Sequence, residues 1–212
     1  MPASAIAEAI NRSVGGNSGS GGYFDGGGAG SPDGRAPERV YITGMLIALG
    51  AILMFFSAFV SAWVVRRGFS TTDWQPMTLP PILWLNTLVL AASAVTLWYS
   101  RRCWRRGNEA DHRYWWGLTT ILGVAFLVGQ LLAWRQMCAR GFLLSTNPSA
   151  SFFYVFTAAH ALHVLGGVAA LVALAVGRPR RLSRATATGV AALYWDFLGA
   201  LWLVLFAVLL RG

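Results

Sequence analysis

No lysine occurs among the 212 residues, carboxylates number only eight, and charged residues make up 12% of the chain. A soluble domain of this length carries about 25% charged residues, so a water-covered globule is excluded. There are two cysteines, Cys103 and Cys138, and no Cys-x-x-Cys. Neither a disulfide framework nor a thiolate metal site is supported. What is present is apolar: 56% of the residues are hydrophobic, and mean hydropathy is +0.53. The apolar residues fall into five runs, 41–65, 81–99, 114–137, 152–176 and 185–210. Each meets the roughly 20 residues needed to cross a hydrocarbon core about 30 Å thick. In lipid the backbone must satisfy its own polar groups, which a helix does. The chain is therefore expected to be all-α and polytopic, with five transmembrane helices in residues 40–212.

The net charge of +9, carried on the positive side by arginine alone, points to nucleic acid only in a soluble protein. Here the arginines flank the spans and report orientation. With the N-terminus inside, the inner segments hold twelve arginines and the outer segments five. The positive-inside rule then predicts an N-terminus in the cytoplasm and a C-terminus in the periplasm. Nucleic acid is not an expected partner. Cys103 and Cys138 lie at opposite ends of the third span, on opposite sides of the membrane, and cannot pair.

Residues 1–39 differ in composition. The stretch GGNSGSGGYFDGGGAGSPDG has too little apolar surface to offset the entropy of ordering. A disordered cytoplasmic tail is expected, with docking on another subunit as the alternative. MPASAIAEAINRS lacks the apolar stretch and cleavage pattern of a signal peptide. Pro80 and Pro81 open the second span, where a missing N–H costs little. Trp63, Trp74, Trp98, Trp104, Trp115, Trp116 and Trp134 fall near span ends, the pattern of an interfacial aromatic belt. There is no internal repeat, and five spans do not divide into two inverted halves, which counts against a secondary transporter.

Polar side chains inside spans are the natural functional candidates. They are Asn86 and Thr87 in the second span, Thr119, Thr120 and Gln130 in the third, Thr157, His160 and His163 in the fourth, and Asp196 in the fifth. His112, the third histidine, is placed in the loop between the second and third spans. His160 and His163 are too close along one helix to clamp a porphyrin, and nothing else converges to complete a copper or zinc site. One carboxylate and two histidines make at best a short proton path. The remaining reading is hydrogen bonding that joins helices, at about 0.6–2 kcal/mol per bond. His160, His163, Gly167 and Ala170 follow one helical stripe. His163 and Asp196 each lie about 16 Å along their helices, near the midplane. Asp196 is accordingly expected to pair with His163 or to be protonated.

Together these segments resemble the cytochrome c oxidase subunit III family. FFYVFTAAHALHVLGGVAAL is similar to its H-x-L-H-V-x-x-G helix, matched by His160, Leu162, His163, Val164 and Gly167 (or Gly166). LPPILWLNTLVLAASAVTLW, LGVAFLVGQLLAWRQ with Gln130, and ALYWDFLGALWLVLFAVLL resemble its other helices, in the right order over residues 40–210. The resemblance implies the five-helix form, a V-shaped bundle flanking catalytic subunit I, with phospholipid in its cleft. It also implies that this chain holds no haem or copper, both being expected in partner subunits. Two departures stand out. Ile52 occupies the place of a buried family glutamate, and the family's W-H-F-V-D reads Trp195, Asp196, Phe197, Leu198, Gly199 here. A proton role resting on that glutamate does not carry over.

The expected function is thus a non-catalytic subunit III of a bacterial haem-copper terminal oxidase in aerobic respiratory electron transport, seated in the inner membrane. It would be part of a proton-translocating oxidoreductase without being catalytic by itself. Its expected partners are subunit I as main contact, subunit II and phospholipid. Arg178, Arg180 and Arg181 are candidate head-group contacts. Asn86, Gln130, His160, His163 and Asp196 are candidate helix-joining residues; no catalytic, cofactor-binding or metal-ligating residue is assigned. Alternatives are subunit III of a quinol oxidase, the related nitric oxide reductase-associated protein and, at greater distance, an unrelated small transporter.

Overall fold

The computed structural model describes residues 38–69, 79–142, 148–177 and 183–211, all within the unit Arg35–Gly212. Residues 1–37, Trp74, Arg178, Arg180 and Arg181 lie outside the described residues, and so do the expectations placed on them. The described chain forms five helices and no strand: α1 (Glu38–Phe69), α2 (Ile82–Arg105), α3 (Glu109–Ala139), α4 (Pro148–Val176) and α5 (Arg184–Leu210). All five are long and apolar enough to cross a membrane. The five-helix, all-α expectation holds. Most helices overrun the apolar runs of the sequence, because arginine and glutamate are good helix formers and continue a helix past the hydrocarbon.

Their ends are set by local chemistry. Pro81 precedes the first residue of α2 with φ already at −56°, where its missing N–H leaves no gap. α2 stops at a left-handed glycine, Gly107 (φ +75°). Asn108 N–H donates to the Cys103 carbonyl and Gly107 N–H to the Trp104 carbonyl, both at 3.1 Å. That pair of bonds is the Schellman arrangement, which leaves room for an immediate reversal. Asn108 then caps α3, its Oδ1 accepting from the Asp111 N–H at 3.2 Å. Gly141 (φ +82°) ends α3 in the same way, and Ser183 Oγ caps α5 by accepting from the Thr186 N–H at 3.1 Å.

The short reversal makes α2 and α3 an antiparallel pair, and their buried residues recur at alternating steps of three and four. On α2 the series is Leu83, Asn86, Leu90, Ser93, Leu97 and Ser100, with Thr96 buried beside it. On α3 they begin at His112 and run through Trp116, Thr119, Gly123, Phe126 and Gln130 to Ala133 and Met137. This is the spacing of a coiled-coil seam. Packing continues from α3 to α4, from α4 to α5, and from α5 back to α2, closing a ring of four. α1 lies against α5 and, more briefly, α4, and does not approach α2 or α3. It buries a single line of residues one heptad apart, Leu49, Phe56 and Trp63. Ile52 packs on the same core as an ordinary apolar residue.

Candidate functional site

The polar side chains of the spans gather at the helix contacts of the ring, and each of the four contacts carries at least one hydrogen bond. Between α2 and α3, Asn86 Nδ2–H donates to the Phe126 carbonyl at 3.1 Å and toward Gln130 Oε1 at 3.4 Å. Lower on the same seam Thr96 and Thr119 share a hydroxyl bond at 2.8 Å. Ser100 Oγ lies 2.9 Å from His112 Nδ1. Between α3 and α4, the Trp116 indole N–H donates to the Leu171 carbonyl at 3.0 Å, and that of Trp134 to Thr157 Oγ1 at 2.9 Å. From α5, Tyr194 Oη–H donates to the His163 carbonyl of α4 at 3.0 Å. Trp195 and Trp202 donate to Ser93 Oγ and Thr87 Oγ1 of α2, both at 3.0 Å.

Trp195 is the centre of this arrangement. Its ring is 2% exposed and wedges between two glycines on neighbouring helices. A Cβ on Gly167 of α4 would come within 3.1 Å of the indole, and one on Gly123 of α3 would overlap it. With its N–H on Ser93, one side chain of α5 thus touches all three other helices of the ring. Gly129 plays a parallel part on α3, since a Cβ there would occupy the space of the Asn86 amide oxygen. In lipid, where apolar surface alone does not drive helices together, such close approach and interhelical bonds supply the attraction.

Of the residues expected from the sequence, Asn86 and Gln130 do meet, and both are buried. His160 is fully buried, its ring 5.0 Å from that of Trp202 and 5.7 Å from that of Phe126. His163 faces elsewhere. Its Nδ1 lies 2.7 Å from the Ala159 carbonyl of its own helix, and its ring lies against Phe56 of α1 at 5.5 Å. The single stripe expected of His160, His163, Gly167 and Ala170 is therefore corrected. His160, Val164, Gly167 and Leu171 form the buried line, while His163 and Ala170 fall off it. Three residues turn a helix 60° short of a full circle, enough to give the two histidines different neighbours.

The expected pairing of Asp196 with His163 is also corrected. Asp196 Oδ2 lies 3.3 Å from Arg101 Nη1 of α2, with side chains 49% and 45% exposed respectively. Trp195 points into the ring, and the next residue is turned about 100° away from it, so Asp196 emerges on the outer α2 side of α5. His163 sits on the far side, against α1. His112 is likewise not in a loop. It lies in the first turn of α3, buried and enclosed by Ser100, Trp104 and Trp116. Trp63 and Trp116, read from the sequence as interfacial, are buried at helix contacts. The part played by Trp195, Trp202 and Ser93 was not anticipated. The signal available was the heptad spacing of Trp195 and Trp202, each opposite a hydroxyl residue on α2.

Among the described residues, no three of His, Cys, Asp and Glu come together in a way that would hold a metal ion. The arrangement joins helices. Most of its donors and acceptors are spent on one another.

The cytochrome c oxidase subunit III family model matches residues 40–211. Similar proteins include the probable cytochrome c oxidase subunit 3 of Mycobacterium tuberculosis (strain ATCC 25618 / H37Rv), 31% identical over 82% of this chain and 88% of its own length. The cytochrome c oxidase subunit 3 of Corynebacterium diphtheriae is 30% identical over 84% of this chain and 94% of its own. That of Synechocystis sp. is 32% identical over 77% and 72%.

Proposed function

Because the chain belongs to the cytochrome c oxidase subunit III family, we propose that it is the non-catalytic subunit III of a bacterial haem-copper terminal oxidase. Partner subunits hold the haem and copper, and subunit I is its main contact, with subunit II in the same complex. In this role it stabilises subunit I. The observation that carries the reading is the use made of its scarce polar groups. His160 and His163 face different helices, and the other buried polar side chains mostly bond across the ring or to their own helix.

Purification through an affinity tag on this chain tests the reading. Haem absorption, copper and a subunit I should travel with it, and removing the chain should shorten the active life of the oxidase. A colourless, fully stable homo-oligomer would overturn the reading and favour a transporter.

The chain lies in the plasma membrane with its N-terminus in the cytoplasm. In support, Arg101, Arg102, Arg105, Arg106, Arg113 and Arg184 all fall at the α2–α3 turn or the start of α5, on one side. Phospholipid binds on that side. Arg101 and Arg105 line a crevice of about 270 Å³ with Trp104 and Thr188, and the chain adds Arg178, Arg180 and Arg181 between α4 and α5. Arginine suits phosphate because its planar fork donates two parallel hydrogen bonds. Replacing Arg178, Arg180 and Arg181 together with glutamine should lower the anionic lipid retained on purification. Unchanged lipid content would remove them from the site.

A further inference from the structure

Among the described residues, three buried side-chain atoms have no hydrogen-bond partner: Nδ1 and Nε2 of His160, and Nε2 of Gln130. Buried polar groups are almost always bonded to protein or to ordered water. These three belong to one layer of the ring. Asn86 bonds both the Phe126 carbonyl and Gln130, one turn apart on α3, and the His160 ring packs on Phe126 and Trp202. The amide of Gln130 is not free to turn over. Asn86 Nδ2 is fixed as a donor by the Phe126 carbonyl, so it must meet the Gln130 oxygen, and Nε2 is left pointing away.

We propose that the interior of the four-helix ring binds a water molecule between Gln130 and His160. The water oxygen accepts from Gln130 Nε2–H, and one of its hydrogens is donated to the unprotonated ring nitrogen of His160. A neutral imidazole presents one acceptor and one donor, and the remaining ring N–H has the Phe126 ring, set at 83° to the imidazole, as a weak acceptor. Water suits the site because it accepts and donates at once. A cation does not, since an amide N–H would point its positive end at the ion and one imidazole would be its only good ligand. Two polar partners meet the minimum that an internal water requires.

A density map of the complex that contains this chain, at a resolution that shows ordered water elsewhere in the protein, tests the site. The expected result is a peak within hydrogen-bond distance of both Gln130 Nε2 and a ring nitrogen of His160. His160→Phe, which keeps the ring volume and removes both nitrogens, should lose the peak, and Gln130→Leu should do the same. The site is overturned if the unaltered chain shows no peak, or if His160 and Gln130 bond directly to each other or to other protein groups. Should either variant fail to assemble, the map of the unaltered chain decides alone. The outcome is independent of which oxidase the chain serves, because subunit composition and haem content are read separately from the water.

Discussion

The α2–α3 hairpin and α1 solve the problem of packing in lipid differently. The hairpin buries residues at every step of a coiled-coil seam and crosses it with hydrogen bonds at Asn86, Thr96 and Ser100. At Gly129 the missing side chain leaves room for the Asn86 amide. α1 is longer, 32 residues against 24 for α2, yet buries only a line of apolar residues against α5 and α4. Its Ser57 hydroxyl bonds back to the Leu53 carbonyl of its own helix, and a Cβ added at Gly44 or Gly50 would meet no other part of the chain within 4 Å. Lipid tails are as apolar as leucine, so an apolar line alone does little to hold one helix on another. The ring is tied together by polar and close-packed joints. α1 is held mainly by shape, with large apolar residues such as Ile47 and Met54 facing outward.

The joint whose loss should cost most is Trp195. Trp195→Ala removes the indole from between Gly123 and Gly167 and leaves Ser93 without its donor. A cost of about 3–5 kcal/mol is expected for such a truncation, read as a lower denaturant midpoint in detergent-induced unfolding followed by circular dichroism. An unchanged midpoint would mean that the ring is not held at this point.

Next comes a matched pair of glycines. In Gly129→Ala the new methyl meets the Asn86 amide, and overpacking of this kind costs about 1–3 kcal/mol. In Gly44→Ala the methyl meets nothing, and alanine is the better helix former by up to about 1 kcal/mol. The two variants should therefore move the midpoint in opposite directions. Similar shifts in both would erase the distinction between ring and outer helix.

Much of this architecture was legible in the sequence. Hydropathy marks the five spans, and proline and the Asn-capped turn mark helix starts. Asn86 and Gln130 stand out as polar residues inside apolar runs, and the structure sets them 3.4 Å apart across the α2–α3 seam. Other features were hidden by how each residue was sorted. Hydropathy counts Trp195 as apolar because it does not register an indole N–H, and position near a span end points Trp116 to the interface. His112 fell outside the apolar run, although the three-four spacing continued back from Trp116 would have placed it on the seam. Backbone depth alone points Asp196 to His163. Arg101 reaches it from several residues away along α2, with a side chain long enough to cross that distance, and Cα positions along an axis do not show this.

The smallest effect is expected where a charge pair is least enclosed. Arg101 and Asp196 meet on the outer side of α2 and α5, each about half uncovered by this chain. Arg101 stands one turn from the end of α2, so its head group reaches interfacial water, where an ion pair contributes about 0–1 kcal/mol. Asp196→Asn should accordingly lower the thermal midpoint by at most about 4 °C. Arg101→Gln should do the same, and the double variant should be no worse than either alone, because the only energy at stake is shared by the two. Asp196 would differ in kind from Trp195, its immediate neighbour, through nothing more than a 100° turn of the helix. If Asp196→Asn destabilised the chain as much as Trp195→Ala, the pair would have to be enclosed in the assembled protein. The outer side of α2 and α5 would then belong with the joints of the ring.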